Sequence, residues 1–129
     1  MELWDAYTED GTILLMQRDL RKPYFPGLYE ASAGGAVLAG ESPYDAAIRE
    51  LREETGIEVE KLEQIYKCVS KGVIFYGYLC TTNCDKNSIK LQEGETISYL
   101  WLTKEEFLKF IESDKYVPTH KKSPYTGIY

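Results

Sequence analysis

The chain has 129 residues, of which 43% are hydrophobic and 28% charged, with a formal net charge of −6. Length and composition predict one globular domain over residues 1–129 and exclude a disordered chain. The acidic balance argues against a protein that coats nucleic acid, because phosphate neutralisation supplies most of the affinity there. No apolar stretch approaches the roughly 20 residues of a membrane span, and the start lacks a secretory signal pattern. We therefore expect a cytoplasmic protein with neither nucleic-acid nor membrane partners.

The cysteines do not predict a structural framework. Cys68, Cys80 and Cys84 are three in number, which does not suit a set of disulfides. The single histidine, His120, lies far along the chain, so a zinc site would lack a convincing second pair of ligands. Buried or inert thiols are the favoured interpretation.

The first third of the chain favours short strands. Residues 3–7 predict a short strand, Asp10 and Gly11 a turn, and the apolar residues 12–16 a buried strand. A loop with two prolines follows. Residues 28–33 predict another short strand, which Gly34 and Gly35 interrupt before residues 36–38 resume it.

The first helix is the clearest element in the sequence. Ser42 is a good N-cap, Pro43 suits the first helical position and Gly56 is a natural stop. An apolar face at helical spacing consists of Tyr44, Ala47, Ile48 and Leu51.

The second half alternates strands with one more helix. Residues 64–70 and 73–82 predict a hairpin around Lys71 and Gly72, and residues 96–102 predict a further strand. Thr103 and Glu106 form a capping box that opens a helix reaching about residue 113. The element pattern predicts an α/β or α+β fold with a mixed β-sheet sandwiched between helices.

Three glutamates on the first helix are the feature with the most chemical content. Glu50, Glu53 and Glu54 are spaced i, i+3 and i+4, so they share one helix face and repel one another. Arg49 is best spaced to pair with Glu53. A solvated acidic surface is the ordinary explanation of such a cluster. The alternative is a site for Mg²⁺, which prefers oxygen ligands and is commonly held by a few carboxylates and substrate phosphates.

The residues around this cluster favour the cation site. Gly35 is followed by five residues and Glu41; seven residues then lead to Arg49-Glu50-Leu51, one spacer, Glu53-Glu54, one spacer and Gly56-Ile57. This pattern over residues 35–57 resembles the complete signature of the Nudix family, whose members hydrolyse nucleoside diphosphates linked to other groups. The resemblance implies the Nudix fold for the chain.

The resemblance also implies roles for the motif residues. Glu50, Glu53 and Glu54 would be the principal ligands of Mg²⁺, or of Mn²⁺, in an enzyme that cleaves a small-molecule diphosphate. Arg49 would hold a glutamate in place, and Gly35 would let the loop wrap close to the helix and the substrate. Glu41 would orient the loop rather than bind metal. Gly56, Leu51 and Ile57 would be structural.

The general base remains open between the motif and a distant loop. In such enzymes the base is either a motif glutamate, here Glu53, or a residue like Glu93 or Glu95 in the loop before Thr96. For substrate contacts, Arg18 and Lys22 are candidates to touch a phosphate, and Tyr24 is a candidate to stack on a base. Each of these side chains also has an ordinary interpretation as a solvated or packing residue.

Two alternatives to hydrolysis follow from the same region. Residues 26–29, with Ser32 and the glycine pair, also look like the isopentenyl-diphosphate isomerase branch of the superfamily. That branch needs a cysteine and a histidine where this chain has Gly34 and Ala36, which argues against isomerase chemistry. The other alternative is a non-catalytic module that binds a metabolite.

The beginning of the sheet raises a question of assembly. The run 3–7 is short and weakly apolar for a central strand. A shortened sheet would have an edge in need of cover, which makes a homodimer possible.

Overall fold

Seven strands and two helices lie in the residues that this computed structural model describes, which are 2–8, 10–59 and 62–118. In chain order they are β1 (Glu2–Thr8), β2 (Ile13–Arg18), β3 (Tyr29–Glu30), β4 (Ser32–Gly35), α1 (Pro43–Thr55), β5 (Glu63–Ser70), β6 (Val73–Thr82), β7 (Thr96–Leu102) and α2 (Lys104–Phe110). The unpatterned end of the sequence, with His120, lies largely outside the described residues. No helix among the described residues has the length and apolar character that a membrane crossing requires.

The strands form one mixed sheet. Its main path runs β3-β2-β1-β6-β5, while β4 pairs with β1 and β7 pairs with β2. β1 and β6 are parallel over the full length of β1, and the other pairs are antiparallel. The weakly apolar run at the start of the sequence is therefore a central strand, so the sheet is not shortened there.

The sheet is covered on both faces, as the sequence predicts. The first four residues of β2 are all buried. Because side chains alternate along a strand, Leu14 and Met16 pack in one cluster with α1, while Ile13 and Leu15 pack in another with Phe107 of α2. The prediction of a mixed sheet between helices is confirmed.

The first helix begins and ends where its capping residues predict. Ser42 Oγ accepts a hydrogen bond from Asp45 N at 3.1 Å, and Pro43 opens the helix. Gly56 adopts a left-handed φ of 78°, and its N–H donates to the carbonyl of Arg52 at 2.8 Å. These two ends fix which residues face the sheet: Ala46, Ala47, Leu51 and Thr55 are buried.

The hairpin and the second helix follow their local signals. Lys71 and Gly72 both have positive φ, 52° and 79°, as a two-residue turn between twisted strands requires. The capping box of Thr103 and Glu106 is formed in both directions. The helix ends at Phe110 rather than near residue 113, because Glu112 N donates to the carbonyl of Lys109, three residues back, in a tightened last turn.

The prediction for the glycine pair was wrong. Gly34 and Gly35 do not interrupt a strand; they lie inside β4, paired with Leu3 and Glu2 of β1. Residues 36–38 do not resume a strand, because the chain leaves the sheet there towards the N-cap of α1. Pairing with the central strand outweighs the weak strand preference of glycine, which is a tertiary effect.

Candidate active site

Arg49 is the centre of an ion-pair network on α1. Its Nε and Nη2 donate to the two carboxylate oxygens of Glu41 at 2.8 and 3.1 Å, a bidentate pair. Its Nη1 donates to Glu50 at 3.1 Å and to Glu53 at 3.3 Å. Glu53 was the partner expected from helix spacing, but the bidentate partner is Glu41, because the loop before the helix folds back over it.

The loop between β4 and α1 is fixed by the same network. Glu41 Oε1 also accepts from Leu38 N at 3.1 Å, and Arg49 Nη2 donates to the carbonyl of Ala36 at 3.3 Å. The bonds from Arg49 and Leu38 hold the pKa of Glu41 below its usual value. Glu41 is thus engaged both by the loop, through Leu38, and by Arg49.

Gly35 lies directly against the carboxylate of Glu50. A Cβ at this position would stand 2.8 Å from Glu50 Cδ, well inside van der Waals contact. The strand can approach the helix here only because residue 35 has no side chain. The close approach predicted for Gly35 is therefore present, and its neighbour is a motif glutamate.

Glu54 lies at a cavity of about 100 Å³ next to this network. Its carboxyl hydrogen bonds with Glu50, and burial, followed by the charges of Glu50, Glu30 and Glu95, raises its pKa to about 9. Burial and the neighbouring like charges both disfavour the charged form of this carboxyl. The cavity is lined by Met16, Arg18, Lys22, Glu30, Glu54, Glu95 and Thr96.

Two cationic side chains share the cavity with these carboxylates. Arg18 Nη1 donates to Glu30 Oε1 at 3.1 Å, and its Nε donates to the carbonyl of Tyr24 at 3.0 Å. Lys22 Nζ donates to Glu95 Oε2 at 2.5 Å. The cavity therefore combines oxygen ligands suited to a hard cation with nitrogen donors suited to phosphate oxygens.

The remaining predicted site residues lie away from the cavity lining. Glu93 is exposed in the turn before β7. Its charge helps to raise the pKa of Arg21, although Asp19 has the larger effect on that pKa. Tyr24 is 73% exposed, and its carbonyl oxygen accepts a hydrogen bond from Arg18 Nε. The structure thus brings Arg18, Glu54 and Glu95 together at the cavity. Glu50 links this cavity to the rest of the motif, because it hydrogen bonds with Glu54 and Arg49 and lies against Gly35.

Glu30 and Thr96 also line the cavity, although no motif in the sequence marks them as site residues. Burial raises the pKa of Glu30, against the opposing charge of Arg18. The strand period offered a signal for it: its neighbours Tyr29 and Ala31 pack in the core next to α2, so Glu30 faces the side of α1. The hydroxyl of Thr96 is buried without a hydrogen-bond partner.

The donor set suits Mg²⁺, although it does not form a closed cage. Within the described residues, no three acidic, cysteine or histidine side chains converge on one point for an ion. Mg²⁺ does not require such a cage, since it keeps several waters and commonly uses one or two carboxylates with substrate phosphates. The carboxyls of Glu50 and Glu54 hydrogen bond with each other, and a divalent cation would offset the repulsion between them when both are charged.

The cysteines take no part in this arrangement. Cys80 is fully buried in the core, and burial raises the pKa of its thiol to about 12. Cys84 is only partly buried, packed against the same core, and Cys68 is exposed on β5. The interpretation as buried or inert thiols fits Cys80.

Known proteins resemble this chain over nearly its whole length. The Listeria monocytogenes protein lmo0368, named an uncharacterized Nudix hydrolase, is 29% identical over 115 residues, which span 87% of this chain and 68% of that protein. An isopentenyl-diphosphate Delta-isomerase of Shigella dysenteriae is 28% identical over 114 residues, 83% of this chain and 63% of that protein. The crystal structure of DR0079 from Deinococcus radiodurans has a TM-score of 0.72 at 19% identity, covering 98% of this chain and 79% of that one.

A family model described as NUDIX domain matches residues 4–123. The match covers the motif, both helices, strands β2 to β7 and β1 from residue 4 onwards. The chain belongs to the Nudix hydrolase family.

Proposed function

We propose that this protein is a Mg²⁺-dependent hydrolase that cleaves the diphosphate linkage of a nucleoside diphosphate derivative or a similar organic diphosphate. The observation that carries the proposal is the composition of the cavity at Glu54. The partly buried carboxyl of Glu54, hydrogen-bonded to Glu50, shares this cavity with the cationic groups of Arg18 and Lys22. The carboxylates suit a hard cation, and the cations suit the phosphates of a substrate.

The residues that would hold Mg²⁺ are Glu50, Glu53 and Glu54, and Mn²⁺ could take the same place. When bound, the ion would neutralise phosphate oxygens and lower the pKa of a bound water. Arg49 fixes two of these glutamates by direct hydrogen bonds, and Glu41 in turn holds Arg49 by two more. The carboxylates are thereby oriented by the protein before any ligand arrives, which reduces the reorganisation needed at reaction.

The remaining cavity residues supply phosphate contacts and a base. Arg18 and Lys22 donate to phosphate oxygens and so orient the diphosphate. Glu95 is the better placed of the two loop glutamates to accept a proton from water, because its side chain lines the cavity. The water oxygen then bonds to phosphorus, and the bridging P–O bond breaks with its electron pair on the leaving phosphate. Glu53 is the alternative base within the motif.

Isomerase chemistry is the second candidate because a curated isomerase is among the relatives. The residues oppose it: Gly34 and Ala36 stand where that branch has its cysteine and histidine, and Cys80 is sealed in the core. A metabolite-binding module is a third candidate. The presence of all the motif glutamates argues against it. Both alternatives make predictions that one experiment separates.

The experiment is a substrate panel with Mg²⁺ or Mn²⁺ and product detection by phosphorus NMR. The panel includes sugar nucleotides, dinucleotides, oxidised nucleotides and coenzyme A, with isopentenyl diphosphate in heavy water as the isomerase arm. We expect metal-dependent release of a monophosphate product from at least one compound. Proton exchange into isopentenyl diphosphate without hydrolysis would point to the isomerase, and tight binding without turnover to the binding module.

A further inference from the structure

Lys22 and Glu95 come from two different loops and meet at the cavity that contains Glu54. Lys22 Nζ lies 2.5 Å from Glu95 Oε2, and the two side chains are 23% and 46% exposed. In this state the carboxylate proposed as a base is already bound to a cation. The ammonium group occupies an acceptor position of this oxygen, so a water cannot donate to the oxygen from that side.

The backbone and a buried aspartate determine where Lys22 lies. Asp19 N donates to the carbonyl of Glu95 at 3.0 Å, which ties the loop after β2 to the turn before β7. The Asp19 carboxylate accepts from Arg21 N, Nε and Nη2 at 2.8, 3.0 and 2.9 Å, and Lys22 N donates to Asp19 O at 3.1 Å. These hydrogen bonds fix the backbone of the turn with Lys22 next to Glu95, so the fold itself positions the two residues for their contact.

The two cations of the cavity have different partners. Arg18 pairs with Glu30 and also donates to the Tyr24 carbonyl, and both side chains of the ion pair are less than one-fifth exposed. Lys22 instead pairs with a carboxylate that is nearly half exposed. A diphosphate carries more negative charge than one carboxylate and offers more acceptor oxygens, so it competes well for the ammonium group.

We propose that Lys22 exchanges partners: it holds Glu95 in the resting protein and moves to a substrate phosphate in the complex. The exchange releases the Glu95 carboxylate as a proton acceptor only when a diphosphate is present. The proposal rests on the proposed function, because it assigns Lys22 and Glu95 to the same site.

The first test measures binding of inorganic pyrophosphate, in the presence of Mg²⁺, by titration calorimetry. Glu95→Gln removes the anion that competes for Lys22, so we expect binding about two- to fivefold tighter. Lys22→Met should weaken binding about tenfold, and Lys22→Arg should retain most of it. Weaker or unchanged binding in Glu95→Gln would overturn the exchange, since a residue that only supports the site would not oppose the ligand.

Lys86→Met is the matched control for this series. Lys86 forms a comparable lysine–carboxylate pair, 2.6 Å from Asp10, and does not line the cavity. Its removal should leave the affinity for pyrophosphate unchanged. An equal loss in Lys86→Met and Lys22→Met would mean that the effect is one of net charge, and the proposal would fail.

The second test observes the Lys22 ammonium group directly by NMR of ¹⁵N-lysine-labelled protein, with the signal assigned by its absence in Lys22→Arg. We expect pyrophosphate to shift this signal. Glu95→Gln should shift it in the free protein but not in the pyrophosphate complex, because Lys22 has then left Glu95. A Lys22 signal that does not shift when pyrophosphate is added would refute the exchange.

The two tests separate this inference from the proposed function, because neither requires turnover. A shifted Lys22 signal together with a silent substrate panel would keep the exchange and refute hydrolysis. Turnover with an unmoved signal would keep hydrolysis and refute the exchange. Once a substrate is known, Lys22→Met should mainly raise KM, while Glu95→Gln should mainly lower kcat.

Discussion

The three glutamates of the helix motif have unlike surroundings although they share a face. The side chain of Glu53 is 43% exposed, whereas that of Glu50 is 15% exposed and lies against Gly35. Glu54 is shifted by burial towards its neutral form. Of the three, Glu53 is therefore the one whose charge can be removed with the least disturbance of packing.

Glu53→Gln should abolish most of the activity without unfolding the protein. We expect kcat to fall by about 10²-fold or more, because a metal ligand or base is lost. The free energy of unfolding should change by less than about 1 kcal/mol, since the Glu53 side chain of the Arg49–Glu53 pair is 43% exposed. Steady-state kinetics and urea unfolding measure the two effects. Glu58→Gln, an exposed glutamate beyond the helix, is the control, and unchanged activity in Glu53→Gln would refute the metal-site assignment.

Asp19 should contribute stability that depends on pH in a defined window. Hydrogen bonds from Arg21 lower its pKa from 3.8 to about 2, so the folded state favours the charged form. Its contribution is then full above about pH 4 and is lost as the pH falls through about 2. Urea unfolding of the wild type and Asp19→Asn from pH 7 downwards should show a difference that begins to shrink below pH 4. A difference that is constant with pH would contradict a charge effect.

At the scale of elements, the approach of β4 to α1 matters more than either element alone. A glycine-to-alanine substitution at two strand positions distinguishes an effect on the active site from an effect on the packing of the sheet. Gly35→Ala would push the Glu50 carboxylate aside, and we expect kcat to fall about 10²-fold with little loss of stability, because a side-chain end can move.

Gly77→Ala is the matched comparison. Its Cβ would overlap the ring of Tyr66 on β5, so we expect a loss of about 1–3 kcal/mol of stability and nearly normal kcat per folded molecule. Kinetics and thermal unfolding of both variants check the contrast. Similar profiles for the two variants would mean that Gly35 is only a packing position.

Local sequence signals predicted the elements whose ends are chemically marked. Ser42, Gly56 and the Thr103–Glu106 box bound the two helices, and Lys71-Gly72 bounds the hairpin, because caps and turns depend on residues only a few positions apart. The local signal of the glycine pair gave a wrong prediction for β4, because its pairing partner β1 lies about 30 residues earlier in the chain. A tertiary contact decided what the local propensity could not.

For the whole molecule, a bound cation should act as a stabilising ligand of the fold. Carboxylates that repel one another in the free protein would be neutralised, so Mg²⁺ should raise the melting temperature. At a hundredfold excess over Kd the gain is roughly 2.7 kcal/mol. Scanning calorimetry with increasing MgCl₂ measures it, with NaCl of equal ionic strength as control. Glu54→Gln should remove most of the response, and an equal rise with NaCl would count against a specific site.

Homodimer formation remains a prediction, but a different feature of the sheet now supports it. β1 completes the centre of the sheet, so a missing central strand no longer supports it. β5 ends the main path of the sheet, and Val69 on it is 68% exposed. If two copies pair there, light scattering should give twice the monomer mass and Val69→Lys should halve it. A wild type that is monomeric at high concentration would refute the prediction.

The spacing of residues within one motif and the local periodicity were enough to predict the family, the mixed-sheet fold class and the acidic helix face. Which groups join that face depends instead on tertiary packing. Glu93 and Glu95 are equivalent in a polar loop, yet only Glu95 reaches the cavity, and Arg49 takes Glu41 rather than Glu53 as its bidentate partner. Such choices depend on how distant segments pack, and Lys22 meets Glu95 across 73 residues of sequence for the same reason.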